Sequence, residues 1–324
     1  MSANWKWVRL VAGVAILAVL VWRLGTGPFL DGLRRVSFSA LAAAIAINVV
    51  ATVCCAWRWC LVARGLGVGL PLRTAVAAYY RSQFLNSALP GGVLGDVHRA
   101  VAHGRDVGDV GRGVRAVVWE RTAGQLVQLV LALIVLAALP SPVRAFMPLV
   151  LLATLLALLV AAAWFALRGR RPGGWRWVRT ARADVREGLL RRSQWPGITA
   201  ASIIVVAAHT TTFVIAARTA GTSASVLRLL PLAILVLLVM AVPINIGGWG
   251  PREGVAAWLF GAAGLGAGLG VAAATVYGVM VIAASLPGAA VLLAPRLTRG
   301  ARRRRAQREP WSPPRARVEG PMRG

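Results

Sequence analysis

The chain has 324 residues, 58% of them hydrophobic, a mean hydropathy of +0.68 and a formal net charge of +27. Apolar runs near the roughly 20 residues that span a bilayer point to an all-α, polytopic membrane protein and leave no room for a soluble catalytic domain. In a soluble chain such a charge would suit nucleic acid, but here it sits between apolar segments, so it reads as a topology signal and no nucleic-acid partner is expected.

Val8 to Trp22 follows Lys6 and Arg9 and reads as a first transmembrane helix; no small-x-small cleavage site follows, which argues against a signal peptide. A second segment runs from about Leu41 to Val62 and ends in Trp57-Arg58-Trp59, a cluster suited to the membrane interface. Its cysteines, Cys54, Cys55 and Cys60, match no zinc or disulfide spacing and read as small apolar helix residues. Thr74 to Arg99 reads as a re-entrant stretch. Arg115 to Leu139 is a third segment, turned by Pro140-Ser141-Pro142 into a fourth, Phe146 to Leu167. From Trp175 to Leu190 a basic loop carries Trp175, Val178, Ala181, Val185 and Leu189 near helical spacing, the pattern either of an amphipathic helix on anionic headgroups or of a solvated linker. Ile198 to Ala217 and Val226 to Val242 follow, then a Gly-rich segment from Gly254 to about Leu269 and a last helix from Gly270 to Leu293.

This makes about eight crossings with both termini on one side. Arg and Lys in the termini and even-numbered connections far outnumber Arg23, Arg34, Arg35, Arg144, Arg218 and Arg228 on the other face. The positive-inside rule therefore places both termini of a multi-pass protein in the cytoplasm. Residues 1–295 form the transmembrane domain. Residues 296–324, with Arg302-Arg303-Arg304-Arg305, read as a basic, disordered cytoplasmic tail.

Two stretches break the helical pattern. Leu89-Pro90-Gly91-Gly92-Val93-Leu94-Gly95-Asp96-Val97-His98-Arg99 lies in the first half, and Val242-Pro243-Ile244-Asn245-Ile246-Gly247-Gly248-Trp249-Gly250-Pro251-Arg252-Glu253 in the second. Each runs from Pro through a Gly pair and a further Gly to an acid beside an Arg. Pro and Gly cannot continue a helix there, and paired interruptions in corresponding halves point to a transport site at a pseudo-repeat. Of ten acids, only Asp96, Glu120 and Glu253 fall in membrane surroundings, each with an Arg within three residues: Arg99, Arg121 and Arg252. Glu120, Arg121, Gly124, Gln125 and Gln128 form one polar stripe on an apolar helix, which should line the interior. Such charges either lock helices together or bind a ligand. Gly backbone at the start of a half-helix attracts an anion, and Arg recognises phosphate through two parallel hydrogen bonds. The binding candidates are therefore Pro90, Gly91, Gly92, Gly95, Asp96, Arg99, Glu120, Arg121, Gly247, Gly248, Gly250, Arg252 and Glu253, with Arg81 and Asn86 as helpers just before the first break. Tyr79 and Tyr80 read as interface anchors, and His209 as a histidine hydrogen-bonded between helices. No nucleophilic triad, metal-ligand spacing, Walker loop or dinucleotide fingerprint is present, so neither catalytic residues nor cofactors are expected.

Tyr79-Tyr80 through Pro90-Gly91-Gly92, Gly95-Asp96 and Arg99, then Glu120-Arg121, then Pro243 and Gly247-Gly248-Trp249-Gly250-Pro251-Arg252-Glu253, resemble the lysylphosphatidylglycerol synthase transmembrane region, a flippase-like family. The resemblance extends to about Pro295. It implies eight helices with re-entrant segments and a role in moving lipids or lipid-linked sugars between leaflets. One departure is Leu94-Gly95, where the family has a second Gly pair. The cytosolic aminoacyl-transfer domain of the full-length synthases is not in these residues, so lysyl transfer is not expected of them. The resulting expectation is a translocase whose Arg99 and Arg252 bind an anionic phospholipid or a lipid-linked phosphate. The competing readings are a membrane-embedded headgroup transferase, with Asp96 or Glu253 as base, and a non-transporting scaffold for a lipid- or glycan-modifying enzyme.

Overall fold

The computed structural model describes residues 3–89, 93–144, 156, 159–160, 163, 167, 174–240 and 249–293. Among them every element is a helix: α1 (Ala3–Leu24), α2 (Gly27–Arg34), α3 (Phe38–Gly65), α4 (Leu72–Ala88), α5 (Leu94–Asp106), α6 (Val110–Ala138), α7 (Gly174–Asp184), α8 (Trp195–Ala220), α9 (Val226–Met240), α10 (Pro251–Ala262) and α11 (Ala267–Ser285), with a π-helical turn at Val185–Leu189 after α7. Local chemistry sets the boundaries. Ser37 caps α3 by accepting from the Ala40 N–H, and Asp109 caps α6 by accepting from the Arg112 N–H. Pro196 opens α8, and Gly221, at φ 108°, closes it in the left-handed conformation.

Four helices among the described residues are long and apolar enough to cross a membrane: Phe38–Gly65, Val110–Ala138, Trp195–Ala220 and Ala267–Leu293. The Val14–Leu24 part of α1 with α2 makes a fifth if that bent pair is one span, while Val226–Met240 is shorter. The multi-pass, all-helical reading holds at this coarser count; most of the expected fourth segment, Phe146 to Leu167, lies outside the described residues. Helix α1 runs unbroken through the first expected crossing, Val8 to Trp22, and the chain turns only after it. The bend beyond Leu24 is 94°, and Arg35 then donates to the Ala220 carbonyl at 2.6 Å, tying the end of α2 to the end of α8.

Two apolar cores flank the centre. The first joins α3, α4, α5 and α6 through Trp59, Ala75, Tyr79, Ala100 and Ala116. The second joins α8, α9, α10 and α11 through Phe213, Leu229, Leu232, Phe260, Tyr277 and Met280, with Ala44 of α3. Helices α3 and α8 pack on each other and connect the two. On α6, Leu126, Val130 and Ile134 recur every four residues as exposed apolar side chains, the face a bilayer would cover. From Gly174 on the basic loop is helical, and part of its apolar face is covered by protein. Ala181, Asp184 and Gly188 are buried, and Leu189 packs with Leu61, Val62 and Ile198. Asp184 forms an ion pair with Arg115 at 2.9 Å and accepts from the Trp119 indole at 3.1 Å, pinning α7 to α6.

Candidate functional site

The break between α4 and α5 folds the chain back so that the two helices pack together. Gly95 lies against the Ser82 backbone carbonyl, where an added Cβ would collide, and its N–H donates to the Asn86 side chain at 2.8 Å. This places Asp96 among four donors: Ser82 at 3.1 Å, Asn86 at 3.2 Å, Arg99 at 3.0 Å and Arg121 at 2.6 Å. One turn on, Arg99 is fully buried and also donates to Glu120 at 2.7 Å. Its guanidinium lies 4.2 Å from the centre of the Tyr79 ring and 4.7 Å from that of Trp59.

Glu120 is the hub. Oε1 accepts from Arg58 Nε at 3.0 Å, from Arg58 Nη2 at 2.6 Å and from the Tyr79 hydroxyl at 2.9 Å, while Oε2 takes Arg99. Arg58 reaches on to the Ser202 hydroxyl at 3.0 Å and so bridges α3, α6 and α8. A Cβ on Gly124 would sit 2.7–2.8 Å from the Arg58 guanidinium, so the glycine in the α6 stripe makes room for that head. Among the described residues, Arg58, Arg99 and Arg121 pair with Asp96 and Glu120 alone, so the network carries one positive charge more than it neutralises.

The second break has a parallel arrangement. Gly250, at φ 104°, turns the chain into α10, and Pro251 occupies its first turn. Glu253 Oε2 accepts from the Gly250 N–H at 2.7 Å, and Oε1 accepts from Arg252 Nε at 2.9 Å and Nη2 at 2.6 Å. Both residues are buried. The Arg252 guanidinium lies 4.8 Å from the centre of Trp249 and 5.6 Å from that of Tyr277, against Gly278, where an added Cβ would displace it. The Tyr277 hydroxyl in turn meets His209 Nδ1 at 3.1 Å. Each motif thus holds an arginine between a carboxylate, a tyrosine and a tryptophan.

Between the two cores lies a cavity of about 280 Å³. Its wall includes Arg58, Tyr79, Asn86, Arg121, His209 and Tyr277, with the stripe residues Gly124, Gln125 and Gln128 on one side. Of the binding candidates named from the sequence, Asn86 and Arg121 line it directly. Asp96, Arg99 and Glu120 stand behind Arg58, Tyr79 and Arg121; Arg252 and Glu253 stand behind Tyr277. Neither Arg99 nor Arg252 is part of the lining, and neither is Arg81, whose Nε is buried without a hydrogen-bond partner. Pro90, Gly91, Gly92, Gly247 and Gly248 lie outside the described residues. Sequence reasoning missed Arg58, which it placed at the interface, and the tyrosines as walls of the cavity. The signal for Arg58 was its own position, an arginine still seven residues from the end of its helix at Gly65. Nothing in the local sequence marks Tyr277.

These features define a multi-pass helical membrane protein with a charged cavity inside its bundle. The model of the lysylphosphatidylglycerol synthase transmembrane region matches residues 7–288, and the chain belongs to that family. No match was found among curated proteins.

Proposed function

We propose that this protein is a flippase-like translocase that binds the anionic headgroup of a phospholipid or lipid-linked phosphate in the central cavity and carries it between leaflets. The observation that carries this reading is the pairing of a cavity between apolar helices with an arginine network holding one unneutralised positive charge. In this reading the α4–α5 and α9–α10 breaks are re-entrant elements of a pseudo-repeat within an eight-helix fold, and the excess of Arg on one face keeps both termini in the cytoplasm of a bacterial inner membrane. Arg121 and Arg58 make the first contacts with the headgroup. Arg99 and Arg252 act one layer back, fixing Tyr79 and Tyr277 and the carboxylates that re-pair when the headgroup leaves. Asp96 and Glu253, saturated by guanidinium, side-chain and backbone donors, serve as counter-charges; that occupancy does not favour either as the general base of a transferase.

The test is transport of fluorescently labelled phosphatidylglycerol in proteoliposomes. Arg121→Gln is expected to slow translocation at least tenfold, and Arg99→Ala and Arg252→Ala to slow it as well. Variants that move lipid as fast as the unaltered protein would remove the reading.

A further inference from the structure

The cavity's chemistry narrows the ligand beyond "anionic lipid". We propose that it accepts a headgroup with one net negative charge, an unmodified phosphodiester, and rejects the aminoacylated phospholipid whose name the family bears; this rests on the headgroup-binding reading above. Three observations converge on it.

The first is the composition of the wall. Arg58 and Arg121 line the cavity, and the remaining polar lining comprises amides, hydroxyls, a thiol and an imidazole. None of Asp96, Glu120 and Glu253, nor any other carboxylate of the described residues, is part of that lining. Lysylphosphatidylglycerol adds two ammonium groups to one phosphodiester, and here those groups would meet two guanidinium heads and no acid. The second observation concerns the aromatic faces. Tyr79 and Tyr277 could attract an ammonium through their rings, but Arg99 already lies 4.2 Å from the centre of the first and Arg252 5.6 Å from that of the second. No free aromatic cage remains between them.

The third is charge and size together. The Arg252–Glu253 pair is neutral, and the Arg58, Arg99, Arg121, Asp96 and Glu120 network is one positive charge in excess, which one phosphodiester would neutralise and a diphosphate would overshoot. Arg121 is the cation best placed to supply that charge. Its side chain is 42% exposed, whereas those of Arg58 and Arg99 are buried, and its Nε has no hydrogen-bond partner. At about 280 Å³ the cavity has room for one headgroup, with its acyl chains left in the bilayer.

Thermal unfolding of the full-length protein in neutral detergent tests this apart from transport. The probes are short-chain phosphatidylglycerol, short-chain lysylphosphatidylglycerol, short-chain phosphatidylcholine and free glycerol phosphate. Phosphatidylglycerol should raise the unfolding midpoint at concentrations at least tenfold below those needed with lysylphosphatidylglycerol, and phosphatidylcholine should leave it unchanged. Gln128→Glu, which adds a carboxylate to the wall without touching the arginine network, should shrink or invert that ratio. Arg121→Gln should abolish the phosphatidylglycerol shift while eluting as the same monodisperse species. Equal or tighter response to the lysyl lipid, or a ratio that Gln128→Glu leaves alone, overturns the charge selection. Glycerol phosphate alone reproducing the full shift would also overturn it, because the site would then be one for free phosphate. If no lipid moves the midpoint, the headgroup-binding reading itself falls, and with it this one.

Discussion

Glu120 gathers more buried charge than any other side chain in the first half of the molecule, and removing it tests how the network is held. With Glu120→Gln, Arg58 loses its only carboxylate partner and Arg99 one of two, leaving guanidinium charge stranded in a low-dielectric interior. Breaking a buried ion pair from one side typically costs about 3–5 kcal/mol, whereas exchanging both partners for well-packed neutral groups is often near neutral. Glu120→Gln should therefore destabilise the fold by about 3–5 kcal/mol, and the double variant Arg58→Met, Glu120→Gln by clearly less, in reversible unfolding in mixed micelles. Additive costs would mean that the two side chains are not coupled. The same residues show where local reading stops. Glu120 and Arg121 were legible because a polar stripe on an apolar helix is too costly to turn toward lipid. Arg58 was not, because an arginine between two tryptophans near a helix end also fits an interface, and only the fold places Glu120 opposite it.

At the scale of elements, the helical segments were legible from apolar run length, and the two interruptions from Pro and Gly; both follow from backbone chemistry that any neighbour would leave intact. The orientation of α7 was not. Its spacing of Trp175, Val178, Ala181, Val185 and Leu189 fits a lipid surface as well as a protein surface, and the deciding contacts, Arg115 and Trp119 on Asp184, come from α6, some 65 residues away in the chain. Asp184→Ala should loosen α7 without unfolding the bundle. Arg115 is partly exposed, so the ion pair is worth little alone, and with the indole bond the loss comes to about 1 kcal/mol, or roughly a fivefold change in local opening. Limited trypsin digestion should then cut at the exposed Arg179, Arg182 and Arg186 about fivefold faster, with the spans protected. Unchanged cleavage would show that apolar packing through Leu189 holds the helix by itself.

For the whole molecule, the two cores and the cavity between them depend on which helices lie side by side, information that hydropathy along one segment does not contain. Sidedness is different: charge placement alone makes a claim about it, and α8 offers a clean test. The two loops that bound this span carry an exposed serine each, Ser193 before Trp195 and Ser223 after Gly221. The excess of Arg around Arg168 to Arg192 assigns the first to the cytoplasm, and Arg218 with Arg228 assigns the second to the opposite side. In a background with Cys54, Cys55 and Cys60 replaced by Ala, Ser223→Cys should react with a membrane-impermeant maleimide added outside cells whose inner membrane is accessible. Ser193→Cys, and Ser312→Cys in the tail, should react only after permeabilisation. The reverse pattern would invert the molecule, and with it the leaflet from which Arg121 first meets a headgroup. Labelling of both loops from one side would show that α8 does not cross, and the cavity it helps to wall would then open to water instead of standing within the bilayer.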